Sequence, residues 1–199
     1  MQPELCPAVP EDGADVAEIY APLVRDTAVS FEEEPPSPHE MSRRISRILP
    51  TYPWIVCRRS GEVLGYAYAD AHNARAAYRW SANSAVYVRR DCRGWGVGRA
   101  LYRSLLRILA LQGLCNVYAG ITLPNPASVA LHESSGFRPF CVYRNVGFKL
   151  GAWHDVGWWH LLLGERPDRP GPPRAFLDMA GTAEVEEALA EGALLLRLR

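Results

Sequence analysis

Residues 84–102, SAVYVRRDCRGWGVGRALY, constrain this chain more than any other stretch. The run at 85–88 is β-branched and aromatic and reads as a strand. A charged turn follows from Arg89 to Arg93, then Gly94, Gly96 and Gly98 at every second position, then Val97, Leu101, Leu105, Ile108 and Leu109 at helical period. The order strand, glycine loop, helix builds an anion site. The first N–H groups of a helix have no partner inside it, and its dipole adds positive potential at the same place. Glycine lets the backbone come close to a bound anion, and Arg93 and Arg99 add full charges suited to a diphosphate. The same glycines also suit a tight, closely packed turn, so taken alone they leave both readings open.

Spacing removes two nucleotide readings. A P-loop needs Lys-Ser or Lys-Thr after its last glycine, and Gly98 is followed by Arg99-Ala100. A dinucleotide fold wants an acidic residue about 20 positions on, and that region holds Asn116-Val117-Tyr118. What remains is an Arg/Gln-x-x-Gly-x-Gly/Ala loop, matched by Arg93-Gly94-Trp95-Gly96-Val97-Gly98. The likeness continues through Ala17-Glu18-Ile19-Tyr20, Ser30-Phe31-Glu32, Tyr52-Pro53-Trp54, Leu123-Pro124-Asn125, Leu131-His132-Glu133 and Gly151-Ala152-Trp153-His154-Asp155-Val156-Gly157. On these residues, over about 9–163, the chain resembles the phosphinothricin N-acetyltransferase branch of the GNAT superfamily.

The resemblance implies the GNAT fold, an α/β (α+β) arrangement in which a mixed, mostly antiparallel sheet carries helices on both faces. It implies acetyl-CoA as acyl donor, no metal, and a homodimer with the closing strands at the contact. The central strand should splay from the next one and leave backbone groups free for the acyl-pantetheine arm, so Val86, Tyr87 and Val88 should bind through the main chain. Arg93, Gly94, Trp95, Gly96, Val97, Gly98 and Arg99 would hold the diphosphate, with Asn125 and Ser128 facing the arm. Phe31 would wall the amine pocket. Arg75 would grip a substrate carboxylate with its planar fork. The implied acceptor is the α-amino group of a small amino acid or analogue such as phosphinothricin, methionine sulfoximine or methionine sulfone.

Composition narrows the partners. The 22 basic and 22 acidic residues balance, which argues against nucleic acid or a membrane surface. The five cysteines are odd in number and form no CxxC pair, so a reducing, cytoplasmic setting fits better than a disulfide framework or a zinc site. No signal peptide or long apolar run is evident.

Along the chain, a Pro-rich lead-in precedes a helix at 11–27 that Pro22 should kink or stop. A rigid acidic loop and a helix at 39–49 follow. A hairpin is expected at 54–58 and 63–69, a loop at 70–79 and the central strand at 80–88. The helix at 97–112 should end at Gly113, followed by a strand at 116–121, a helix at 127–135 and closing strands at 137–148 and 153–163. Residues 1–164 form the acetyltransferase domain. Residues 165–199 read as a Pro-rich linker and a tail with a short helix, to which no chemistry is assigned.

One position departs from the family. The central strand carries a catalytic glutamate in a Trp-x-Ala-Glu-Ser pattern, and this chain has Trp80-Ser81-Ala82-Asn83-Ser84. An amide takes up no proton near neutral pH. Three accounts remain open. Asn83 orients a water that relays the proton to solvent, to His72 or to the glutamates at 32–34; or the chain is a non-catalytic or weakly active acyl-CoA binder; or the amine arrives already neutral. His132 favours retained chemistry: it occupies a place where the family protonates the leaving thiolate, and histidine donates or accepts near working pH. A second departure is Asn73, where the family has a lysine, so one positive charge of the substrate pocket is missing.

Overall fold

The computed structural model describes residues 3–197. The chain runs β1 (Glu4–Pro7), α1 (Gly13–Asp26), α2 (Pro38–Ile48), β2 (Trp54–Arg59), β3 (Glu62–Ala71), β4 (Ser81–Val88), α3 (Val97–Gln112), β5 (Asn116–Leu123), α4 (Pro126–Ser134), β6 (Arg138–Lys149), β7 (Ala152–Leu162) and α5 (Ala183–Ala193). The strands form one seven-stranded sheet in the order β1-β2-β3-β4-β5-β7-β6. Among the described residues only β4 and β5 pair in parallel. The arrangement is the mixed, mostly antiparallel α/β sheet with flanking helices that the sequence implied.

Two cores sandwich that sheet. Val16, Ile19, Tyr20 and Val24 of α1 meet Met41 and Ile45 of α2 over Trp54, Val56 and Tyr66. On the other side Val97, Leu101, Leu105, Ile108 and Leu109 of α3 pack on Ile55, Ala67, Ala82 and Val117. Alternation along β2 to β4 sends successive side chains to opposite cores.

Several boundaries differ from the sequence reading, each for a tertiary reason. β1 was hidden in the Pro-rich lead-in, because four residues are too few to show a period; pairing with Ile55–Arg58 makes them a strand. Pro22 does not stop α1: it stands exposed on the solvent side, and the helix continues to Asp26. The expected loop at 70–79 begins later, since β3 runs through Ala71 and pairs Asp70 with Asn83 and Ala71 with Ala82. Cross-strand pairing overrides the local polarity of that stretch.

The tail docks. Phe176, Met179, Val185, Ala188 and Leu189 are buried in the same core as α3. Gln112 Nε2 donates to the carbonyls of Thr51 (2.8 Å) and Arg174 (2.7 Å), and Ser104 Oγ donates to Ala188 O (2.8 Å). Gly192 permits the close crossing of α5 over α3, because a Cβ there would overlap Ser104 Oγ and Ala100 O. Leu198 and Arg199, the end of the expected helical tail, lie outside the described residues.

Candidate active site

The parallel β4–β5 ladder holds for only Ser81↔Asn116, Ala82↔Val117 and Asn83↔Tyr118. Beyond Asn83 the strands part. From Ser84 to Val88, β4 is hydrogen-bonded to β3 alone and offers its other edge. Asn83 therefore stands at the vertex of a V.

A cavity of about 470 Å³ opens from that V toward the N-terminus of α3. It brings together Val86, Tyr87, Val88, Arg93, Gly94, Gly96, Val97, Gly98, Arg99, Asn125 and Ser128, as the sequence grouped them. Gly94 and Gly96 adopt φ of +83° and +82°, a left-handed conformation that favours glycine. The first helical bond runs from Ala100 N–H to Gly96 O (2.9 Å), so the N–H groups of Val97, Gly98 and Arg99 lie outside the helix ladder. Gly98 lets Leu131 of α4 approach to within 3.1 Å of where its Cβ would be. Three orphan donors, a positive helix end and two arginines fit an anionic diphosphate. Asn125 caps α4 by accepting from Ser128 N–H (3.2 Å) and lines the cavity as well.

Trp95 is placed differently. It does not line the cavity; Arg59 lies over its ring at 5.9 Å, and its carbonyl accepts from Arg197 N–H at 2.7 Å. Arg197, which the sequence reading did not single out, lines the cavity together with Leu23 and Val29. No local signal marks it, because it reaches the loop only through the docking of α5.

At the vertex, His72 Nδ1–H donates to Asn83 Oδ1 (2.9 Å), and Asn83 Nδ2 donates to Ala71 O (3.3 Å). His72 stacks on Tyr118 with ring centroids 4.4 Å apart. Glu32 is not poised as a base: Arg44 grips it with two bonds of 2.8 and 2.9 Å, and this guanidinium holds its carboxyl below the usual range.

His132 is buried with both ring nitrogens engaged. Nδ1–H donates to Ser128 O (2.7 Å) and Nε2 accepts from Tyr102 O–H (2.7 Å), which also lies 3.4 Å from Ser84 Oγ on β4. Burial pushes its pKa down. The unfolded chain thus binds a proton that the folded ring refuses, so stability should fall as pH drops below about 6.5. Replacing His132 by alanine is expected to cost about 1–3 kcal/mol at pH 7.5, since Tyr102 loses its buried partner. The penalty should shrink at pH 5.5; urea midpoints at the two pH values check this.

Phe31 rests on the backbone of Gly147, where a Cβ would overlap its ring, and stands 6.3 Å from His154. The buried Lys149 holds the loop that carries Phe31, with Nζ donating to the carbonyls of Val24 (2.5 Å), Ser30 (2.7 Å) and Glu32 (2.7 Å). Arg75 is exposed at the start of a single helical turn (Ala76–Tyr78) between β3 and β4, its N–H bonded to Asn73 Oδ1 (3.1 Å). Among the described residues no group of three His, Cys, Asp or Glu side chains is placed to hold a metal ion, and no helix is long and apolar enough to cross a membrane.

A splayed parallel strand pair with a glycine loop at its open end fits the acyl-CoA site that the resemblance implied, and comparison with known proteins agrees. Residues 8–158 match the family described as acetyltransferase (GNAT) domain. The chain is 39% identical over 171 residues to a phosphinothricin N-acetyltransferase of Streptomyces viridochromogenes, covering 86% of this chain and 91% of that one. It is 32% identical over 155 residues to an L-methionine sulfoximine/L-methionine sulfone acetyltransferase of Salmonella typhimurium, covering 77% and 91%. A GNAT superfamily phosphinothricin acetyltransferase from Sinorhizobium meliloti, solved in complex with acetyl-CoA, superposes with a TM-score of 0.80 at 33% identity, covering 88% and 99%. The chain belongs to the GNAT acetyltransferase family. It is an N-acetyltransferase that draws its acetyl group from acetyl-CoA, and the non-catalytic reading is not favoured.

Proposed function

We propose that the acceptor is the α-amino group of a small amino acid or analogue of the phosphinothricin, methionine sulfoximine or methionine sulfone type. The observation that carries this reading is the V at Asn83, whose free β4 edge lines the glycine-loop cavity. The names of the relatives support the acceptor class.

In this reading the N–H groups at 97–99, with Arg93 and Arg99, hold the coenzyme diphosphate, and Gly94 and Gly96 let it approach. The free edge of β4 at Val86, Tyr87 and Val88 aligns the arm by strand-like bonds, with Asn125 and Ser128 opposite. Acetyl-CoA supplies an acyl group already activated as a thioester. Phe31, Arg75 and Asn83 orient the acceptor, which provides much of the rate through positioning. His132 acts through Tyr102, whose hydroxyl it fixes behind Ser84. A thiol-release assay over a panel of amino acids tests the acceptor class: turnover restricted to small α-amino acids and their sulfone, sulfoximine or phosphinate analogues is expected. Turnover confined to peptide or protein amines would overturn it.

A homodimer and a cytoplasmic location belong to the same proposal. Phe140, Tyr143, Phe148 and Trp153 leave large apolar surfaces exposed on β6 and β7, at the sheet edge. The free cysteines suit a reducing compartment. Sedimentation should show a dimer, and the double variant Phe148→Glu/Trp153→Glu should run as a monomer. In the cytoplasm, acetylation of phosphinothricin would confer resistance to it.

A further inference from the structure

Asn83 takes up no proton, yet the strand pair that holds it sets a carboxylate beside it. Asp70 is the register partner of Asn83 in the antiparallel β3–β4 pair. Directly opposed residues project from the same face of a sheet, with Cβ atoms about 4.5–5.5 Å apart. The carboxyl of Asp70 thus stands one strand away from the side chain at the vertex, on the same face of the sheet. It also lines a cavity of about 300 Å³ between α2 and β2–β4, walled by Tyr20, Tyr68 and Tyr87. We propose that Asp70 is the general base of the acetyl transfer, and that Asn83, fixed by His72, aims the Asp70 carboxylate at the acceptor amine. This inference rests on the acetyltransferase reading above.

The surroundings suit that role. Burial is the strongest influence on Asp70 and pushes its carboxyl above the usual range. The neighbouring Asn83 amide and the charges of Arg47 on α2 and of His72, just after β3, oppose the rise without cancelling it. Tyr68 on β3 and Tyr52, ahead of β2, also face Asp70, and both phenols are pushed up, chiefly by burial. Arg44, across the cavity, is tied to Glu32 and Glu40. A base whose pKa lies closer to the working pH is more effective. The other carboxylates of that cavity are spent on ion pairs, since Glu32 binds Arg44 and Glu40 binds Arg43 (3.1 Å) and Arg44 (3.2 Å).

The proton balance closes without another reagent. An α-ammonium loses one proton to become nucleophilic, its lone pair forms the C–N bond to the acetyl carbon, and the C–S pair departs onto sulfur. The nitrogen loses a second proton. One of the two ends on the thiolate and the other in solvent, and Asp70 accepts from nitrogen and passes on.

The test combines three variants with the purified full chain. Asp70→Asn is expected to lower kcat/KM about 100- to 10,000-fold, the range for a lost general base. Calorimetric affinity for acetyl-CoA should stay within about twofold, since a tenfold loss would mean about 1.4 kcal/mol of binding. Its Tm should not fall, because a partly buried charge has been removed; a merely structural Asp70 would lower it. In the unaltered protein kcat/KM should rise with pH along a limb placed above the ordinary aspartate value of about 3.9, and Asp70→Asn should erase that limb. Adding Asn83→Glu to Asp70→Asn should recover at least about tenfold of the loss by returning a carboxylate to the facing strand. Near-normal turnover by Asp70→Asn would overturn the proposal, as would a larger loss in His72→Gln than in Asp70→Asn. If the unaltered protein binds acetyl-CoA but acetylates no amino acid, the acceptor reading fails and Asp70 with it. Turnover that survives Asp70→Asn removes Asp70 alone.

Discussion

Gly96→Ala is expected to weaken acetyl-CoA binding at least about tenfold, or about 1.4 kcal/mol, and to lower Tm by several degrees. Two independent costs meet at this residue. Its φ of +82° is left-handed, which costs an L-residue roughly 1–2 kcal/mol. A Cβ would also run into the carbonyl of Leu195, a backbone atom of the docked tail that cannot swing aside as a side chain would. Either the tail lifts, taking Arg197 from the cavity, or the loop shifts and the N–H groups at the start of α3 lose their alignment. Gly94→Ala is the matched comparison: φ is +83° but the space around it is open. It should pay only the conformational part, and the tail should stay seated. Calorimetry and thermal melts on the two variants separate the costs.

Lys149→Met is expected to destabilise the protein by roughly 2–4 kcal/mol, because the carbonyls of Val24, Ser30 and Glu32 lose a charged donor where water is excluded. That corresponds to a drop in Tm of about 5–15 °C for a chain of this size. The lysine ties the end of α1 and the loop that follows to the β6–β7 hairpin, so the loss should also loosen Phe31. KM for the acceptor should therefore rise more than KM for acetyl-CoA. Thermal melts and steady-state kinetics measure the two effects.

What the sequence disclosed follows from how local each signal is. The glycine loop, the helix it starts and the Asn125 cap are contiguous, and helical period alone placed α3 at Val97–Gln112. The cavity residues came out together because they sit on three adjoining elements. Asp70 did not, since its partner lies 13 positions away across a strand pair and its own stretch is polar and aperiodic. The engagement of both His132 nitrogens depends on Tyr102, from another helix. The tail's role was invisible for the same reason: Leu195 and Arg197 gain meaning only from Gly192, which lets α5 cross close over α3. Glu32 shows the opposite error, an acidic residue in a loop that looked available and is held by Arg44.

The most direct measurement is a crystal structure of the protein with acetyl-CoA. The diphosphate should rest on the N–H groups of Val97, Gly98 and Arg99, with the pantetheine arm bonded along Val86–Val88 and the thioester carbonyl carbon beside Asn83 and Asp70. A coenzyme seated anywhere else, or an arm that leaves the free edge of β4 unpaired, would contradict the assignment of the V between β4 and β5 as the site of acetyl transfer.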